Sequence, residues 1–294
     1  MTKPGDIIET KAGELDETIG PEGNRIKLGL LPPDATSPPQ VFSRVESAMP
    51  LLDSDAIKGI VTSAYRIPSR EIWGPAYIKD QDGRGACQGY ASASCIEKIR
   101  DLGGQDFVPL SGDFAYSLVN GGRDQGSQLI NGFRAALEVG YCPEDTPGLV
   151  RWEYRKSRMP QSAFEAAKRF RGFEGFICET EQEFASALAY GWIGVVAVHV
   201  SGNYNRLDRY GVSRGGNGVG NHAVCVDDIV WDAELGQFKY DSPNSWKTSW
   251  GDNGRCYYLF DQHFKRTIQT HKFYVFPSAS VDPQGNNPPP LRIV

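Results

Sequence analysis

One stretch of this chain places a thiol where chemistry would use it: Ile78-Lys79-Asp80-Gln81-Asp82-Gly83-Arg84-Gly85-Ala86-Cys87-Gln88-Gly89-Tyr90-Ala91. Gly83, Gly85 and Gly89 let the backbone turn sharply, and Ala91, Ser92, Ala93, Ser94 and Cys95 suit a helix packed closely on several sides. A cysteine at the mouth of such a helix faces unpaired backbone N–H groups and the positive end of the helix dipole. Both lower its pKa and favour the nucleophilic thiolate. A nucleophile of this kind also needs a base and donors for a developing oxyanion. The chain offers both: Asn221-His222-Ala223-Val224 opens an apolar run, Asn244-Ser245-Trp246-Lys247-Thr248-Ser249-Trp250-Gly251-Asp252-Asn253-Gly254 follows it, and Gln81 supplies a side-chain amide six positions before Cys87.

The order Gln, Cys, His, Asn with these flanks resembles the papain family of cysteine peptidases. His222 lies 135 positions beyond Cys87, within the family's window of roughly 130–150. The likeness runs from about Ile67 to Phe276 and is most specific at Asn244-Ser245-Trp246 and Trp250-Gly251-Asp252-Asn253-Gly254. It implies an α+β, two-lobed fold, with a helical lobe and a β-barrel-like lobe on either side of a substrate cleft. It also implies the roles. Cys87 attacks a peptide carbonyl, and His222 holds the thiolate as an ion pair and then protonates the leaving amine. Asn244 orients the imidazole, Gln81 and the Cys87 N–H form the oxyanion hole, and Trp246 shields the Asn–His hydrogen bond. Gly126, Ser127, Leu129 and Asn221 make up the expected substrate-binding set, with Gly126 and Ser127 on a wall that pairs with substrate backbone as an added strand. Leu129 is expected to help line a pocket for an apolar side chain.

Two positions depart from the family pattern. Gln88 stands where a large aromatic residue usually follows the nucleophile, so packing at that end of the helix must differ. Arg84 stands where the family often carries a disulfide-forming cysteine whose partner position here is Asp124, and an Arg84–Asp124 ion pair is the expected replacement. Cys95, Cys142, Cys178, Cys225 and Cys256 read as small buried hydrophobes, and His199, His263 and His271 as structural or solvated.

The elements that must position these residues follow from periodicity and punctuation. The Cys87 helix runs to about Arg100 and stops at Gly103-Gly104; Leu110-Ser111 opens a second helix, and Ser127 a third that ends at Gly140. Thr180-x-x-Glu183 is a capping box. Strand-like runs then occupy 192–200, 222–231, 238–241, 255–260 and 272–276. The expected organisation is an N-terminal extension over 1–62, weakly structured and able to act as a pro-segment, with one short amphipathic piece at 51–61. A helical lobe over 63–172, a β-rich lobe over 173–277 and a flexible Pro-rich tail over 278–294 follow it.

With 294 residues, 40% of them hydrophobic, the chain can bury a full core, and a net charge of −5 gives no basic face for nucleic acid. No long apolar run or signal-peptide pattern is read, so a cytoplasmic start with reduced cysteines and no membrane contact is expected, with a specialised secretion route or packaging in a particle as alternatives. No zinc-type spacing occurs, and neither metal nor other cofactor is expected. The partners expected are a peptide or protein substrate and, through self-inhibition, residues 1–62. Three alternatives share these residues: a peptidase restricted to one partner, a catalytically silent binding module, and an enzyme passing the acyl group to an amine instead of water.

Overall fold

A computed structural model describes residues 7–8, 14–33 and 42–279. It opens with three short antiparallel strands, β1 (Ile7–Ile8), β2 (Glu17–Ile19) and β3 (Arg25–Lys27). Six helices follow: α1 (Ser54–Val61), α2 (Ser69–Ile72), α3 (Cys87–Leu102), α4 (Gly112–Ser117), α5 (Leu129–Glu138) and α6 (Gln161–Ala167). The chain continues through β4 (Phe176–Cys178), α7 (Glu181–Ala189), β5 (Ile193–Val198), β6 (His222–Val226), β7 (Asp228–Asp232), β8 (Gln237–Pro243) and β9 (Arg255–Tyr258). It closes with α8 (Thr267–His271) and β10 (Phe273–Phe276). Helices gather in the first half and strands in the second, giving an α+β molecule of two lobes. The β lobe is built on two open antiparallel sheets, ordered β4-β10-β5-β6 and β7-β8-β9, with only Asp227 between β6 and β7.

α3 is the partition between the lobes. It packs on α4 and α5 on one side and on β5 and β6 on the other, and every residue from Cys87 to Arg100 is buried. A helix enclosed on all sides tolerates little side-chain volume, which explains Gly89-Tyr90-Ala91-Ser92-Ala93-Ser94-Cys95. A β-carbon on Gly89 would press on the backbone of Gly112 and Tyr116 in the α4 segment. The signals read from sequence have physical counterparts here. Ser111 caps α4 by accepting the Phe114 N–H, Thr180 and Glu183 form the capping box of α7, and Gly140 ends α5 with φ of 82°. Cys95, Cys142, Cys178, Cys225 and Cys256 are buried free thiols.

The N-terminal expectation is corrected over 14–33 and 42–50, while the amphipathic piece expected at 51–61 docks on the body as α1, against α7 and β7. Residues 14–33 and 42–61 are not loose. The β2–β3 hairpin lies against both lobes, and Ile26, Leu28 and Leu30 are buried. Beyond the undescribed 34–41, which include Pro38-Pro39, the chain packs onto the molecule. The Ile177 N–H donates to the Ser43 carbonyl (3.0 Å), Arg44 pairs with Glu183 (2.8 Å), and the Leu52 N–H donates to Ser186 Oγ (2.9 Å). Val45 and Ile57 are core residues, and Phe42 sets its ring edge-on to Phe133 at 4.8 Å. Ile26, Leu28 and Leu30 alternate with strand period and Ile57 sits on the apolar face of α1, whereas Phe42 and Val45 stand singly among polar residues. At the other end, Ser278 and Ala279 pair with Phe173 and Gly172, and the remaining tail, 280–294, lies outside the described residues.

Candidate active site

Cys87 is the first residue of α3. Ala86 provides no side-chain cap, so the first-turn N–H groups are free to serve the sulfur. Burial pushes the thiol up to about 11, opposed by the N–H groups of Ala223, Gly29, Gln88 and Cys87 itself. His222 opens β6, where its pairing with Val198 of β5 holds it at the sheet edge facing α3. Asn244 follows β8 and is anchored by donating its N–H to Gly254 O (2.8 Å).

The ring Nε2 of His222 lies 2.9 Å from Asn244 Oδ1, which also accepts the Ser245 N–H at 2.8 Å. That backbone donor fixes the amide's orientation, so Oδ1 faces the ring and Nε2 carries the hydrogen. His222 Nδ1 therefore presents a lone pair, and it is buried with no hydrogen-bond partner among the described residues. Burial lowers the imidazole to about 4 against the raising effect of the Asn244 hydrogen bond. Trp246 covers the pair, its ring 4.6 Å from that of His222. Tyr204, which nothing in the sequence singled out, stands edge-on to Trp246 (5.5 Å) and stacks on Trp250 (5.4 Å), completing an aromatic wall.

Gln81 is fully buried, with Oε1 accepting the Ser245 hydroxyl (2.6 Å) and Nε2 donating to Arg84 O (2.5 Å). Its backbone N–H also donates to Ser245 O (2.9 Å), so the loop before the nucleophile is stitched to the loop after Asn244. One of the two amide hydrogens remains for a ligand oxygen.

The structure brings Ser127 and Asn221 to opposite sides of one groove, and the groove is filled by the chain's own N-terminal segment. Ser127 donates its N–H to Gly29 O (2.8 Å) and accepts the Leu31 N–H (3.0 Å), while Leu30 donates to Asn221 O (3.2 Å). Leu30 thus runs parallel to Ser127 as an added strand. The Asn221 side chain is engaged elsewhere, with Val200 N and O. Gly126 turns the wall at φ 76° and donates its N–H to the Tyr116 phenol (2.9 Å). Leu129 is buried at the start of α5. Glycine is required where this strap meets the site: a β-carbon on Gly29 would overlap the Gly85 carbonyl, and one on Gly126 would overlap the Gly29 carbonyl. The strap is clamped to both lobes, by Lys27 on Asp124 (2.7 Å) and by Glu22 on Lys247 (3.1 Å).

One sequence expectation is corrected. Asp124 does not pair with Arg84: it takes Lys27 and the Gly85 N–H (3.0 Å), whereas Arg84 lies near Asp113 (3.7 Å) and Asp82 (3.9 Å). The strap supplies the cation that Arg84 was expected to provide. In the closed site burial pushes the Cys87 thiol up to about 11 and the His222 imidazole down to about 4, directions that favour the neutral forms.

No protein-family profile matches the chain, and no curated protein sequence matches it. Solved structures do. Xylellain, a cysteine protease from Xylella fastidiosa, superposes with a TM-score of 0.58 at 19% identity over 84% of this chain and 94% of its own. The procathepsin B S9 of Trypanosoma congolense gives 0.57 at 17% identity over 86% of each chain. Bromelain from Ananas comosus gives 0.52 at 18% identity, covering 68% of this chain and 92% of its own. The fold is therefore that of the papain-like cysteine proteases.

Proposed function

We propose that the chain is a papain-like cysteine endopeptidase whose cleft is closed by its own residues 27–31. The reading rests on one observation: a helix-terminal thiol takes the N–H of Ala223, the residue beside the Asn-oriented His222, at a groove already occupied by an extended peptide segment. With the strap withdrawn, solvent relieves the burial that keeps both groups neutral. His222 Nδ1 then takes the Cys87 proton, while Asn244 Oδ1 holds the Nε2–H and steadies the imidazolium. The sulfur attacks a peptide carbonyl, forming a C–S bond as the C=O electron pair moves to oxygen. The Cys87 N–H and the free Gln81 amide hydrogen receive that oxyanion, a contribution of about 3 kcal/mol for a donor of this kind. Collapse breaks the C–N bond, His222 returns its proton to the leaving amine, and water, deprotonated by the same Nδ1, releases the acid and the thiol.

Substrates are extended peptides that pair with Ser127 as Gly29 and Leu31 do, with an apolar side chain where Leu30 sits. Only the segment up to Leu31 is displaced, because Phe42–Val61 belongs to the folded body. The test is mass spectrometry of a mixed peptide library, and of the protein itself, after incubation of wild type and Cys87→Ala in reducing buffer. Cleavage by wild type alone is expected. Wild type from which residues 1–33 have been removed, if still without cleavage, would favour a silent binding module.

A further inference from the structure

Immediately after the nucleophile comes a buried amide that the reaction does not use. Gln88 is completely buried in the helical lobe, beside apolar residues of α3, α4 and α5. An amide so placed costs stability unless both its ends are bonded, and both are. Nε2 donates to Ser92 Oγ at 2.7 Å, one turn along α3, and Oε1 accepts Ser127 Oγ at 3.3 Å, across the lobe on the cleft wall. Gly132 of α5 makes the room, since a β-carbon there would overlap the Gln88 amide. Ser92 in turn bonds Tyr141, whose phenol donates to Gly132 O at 2.7 Å. The network ties α3, α5 and the wall together through uncharged groups.

We infer that Gln88 is a positioning residue that acts through Ser127: it holds the wall's N–H and C=O at the register in which they pair with an extended chain lying over Cys87. Ser127 is the only described residue whose backbone both gives and takes a hydrogen bond with the strap, and it follows Gly126, whose left-handed conformation leaves the wall without the restraint of a regular element. The Ser127 hydroxyl bonded to Gln88 supplies that restraint from within the lobe. Nucleophile and wall are thereby linked through adjacent residues, so the sulfur and the strand-pairing groups keep a fixed spacing. As it bears on substrate, this inference rests on the peptidase reading; as it bears on the strap, it does not.

The experiment is amide hydrogen exchange on the full chain for wild type, Gln88→Leu, Ser127→Ala and the double variant. The expected result is a loss of protection at Leu31 and Ser127 of roughly three- to tenfold in each single variant, the scale of one neutral hydrogen bond. The double variant should lose no more than the larger single, since both remove the same tether, and Ile96 and Ile99 in α3 should keep wild-type protection. Additive losses, unchanged protection at Leu31 and Ser127, or equal losses through α3 would each overturn the inference, the last by showing Gln88 to be a packing residue only. Exchange needs no turnover, so it stands or falls separately from the peptidase reading. Where turnover is measured, Gln88→Leu should raise KM and leave kcat near wild type.

Discussion

The interface between the lobes is polar at both ends of α3, and the two ends are built oppositely. Cys87 and Lys98 stand eleven residues apart on one helix, about 16 Å. At the Lys98 end every buried carboxylate has at least two donors. Asp227 takes Lys98, Arg255 and Ser69 Oγ (2.9 Å), Asp241 takes Arg70 (2.6 Å) and Arg255 (3.1 Å), and Asp228 takes Arg66 and the Ser69 N–H (2.8 Å). At the Cys87 end, His222 Nδ1, Asn244 Nδ2 and Trp246 Nε1 are buried without partners among the described residues. At the Lys98 end Arg70 Nη2 and Arg255 Nη1 are also buried without partners among the described residues, but on guanidinium groups already paired with carboxylates; at the Cys87 end the unpartnered atoms belong to uncharged side chains. The paired end fixes the lobes against each other, and the unpaired end is where an incoming ligand finds groups to satisfy.

The largest effect separating the two ends is expected from Asp227→Asn. It strands Lys98 and leaves Arg255 with Asp241 alone, and should lower unfolding stability by about 3–5 kcal/mol, read from the denaturant midpoint. A shift under about 1 kcal/mol would place the lobes' cohesion elsewhere.

A smaller effect is set by pH. His222 is held at about 4 in the closed site against an ordinary 6.5, so an opened site binds a proton that the closed one refuses. Closure therefore weakens as pH falls from about 6.5 to about 4, by roughly 1–3 kcal/mol in all. Cys87, held at about 11 against 9.0, acts in the opposite sense, weakening closure as pH rises above 9. Glu22, kept below the usual carboxylate range by its Lys247 and Ser249 hydrogen bonds, loosens the strap only in stronger acid. The closed state should be firmest between about pH 6.5 and 9. Protection of the Leu31 amide, corrected for intrinsic exchange, should fall below pH 6.5 relative to that of Ile96; Ile96 is the reference because His263 and His271, also lowered to about 4 by burial, weaken the whole fold in the same range. Parallel loss at both amides would assign the effect to them.

The smallest effect is expected from Lys247→Ala. Its bond to Glu22 is a rim contact with both side chains more than a third exposed, and exposed pairs contribute about 0–1 kcal/mol. Strap exchange should change by less than roughly fivefold and the change should shrink in salt.

The sequence shows the parts of the site that sit on regular elements. Cys87 could be placed because a glycine-rich turn and a run of small residues announce a buried helix. The Thr180–Glu183 box and the Gly140 stop are local bonds written in adjacent residues. His222 and Asn244 were found through their flanks, whose hydrogen bonds and aromatic cover recur around them in the structure. The strap was not legible. Gly29 is required because it meets Gly85 and Gly126 from other parts of the chain, and Leu30 is held between Ser127 and Asn221, which lie far from it in sequence. Gln88 departs from the aromatic expected after the nucleophile because Gly132 and Ser127, distant in sequence, receive its amide. Asp124 found a different cation for the same reason: its neighbour Lys27 comes from a segment 97 residues away.

The central claim is that a reactive thiol lies beneath Gly29, and the most direct measurement is the rate at which iodoacetamide labels Cys87, located by mass spectrometry, in wild type and Gly29→Ala at neutral pH. Overpacking against the Gly85 carbonyl should lift the strap at a cost of about 1–3 kcal/mol, so labelling is predicted to be slow in wild type and at least roughly fivefold faster in the variant. The other five cysteines, all buried, should stay unlabelled in both. Equal rates in the two proteins would contradict the account, because Cys87 would then be governed by something other than the segment that covers it.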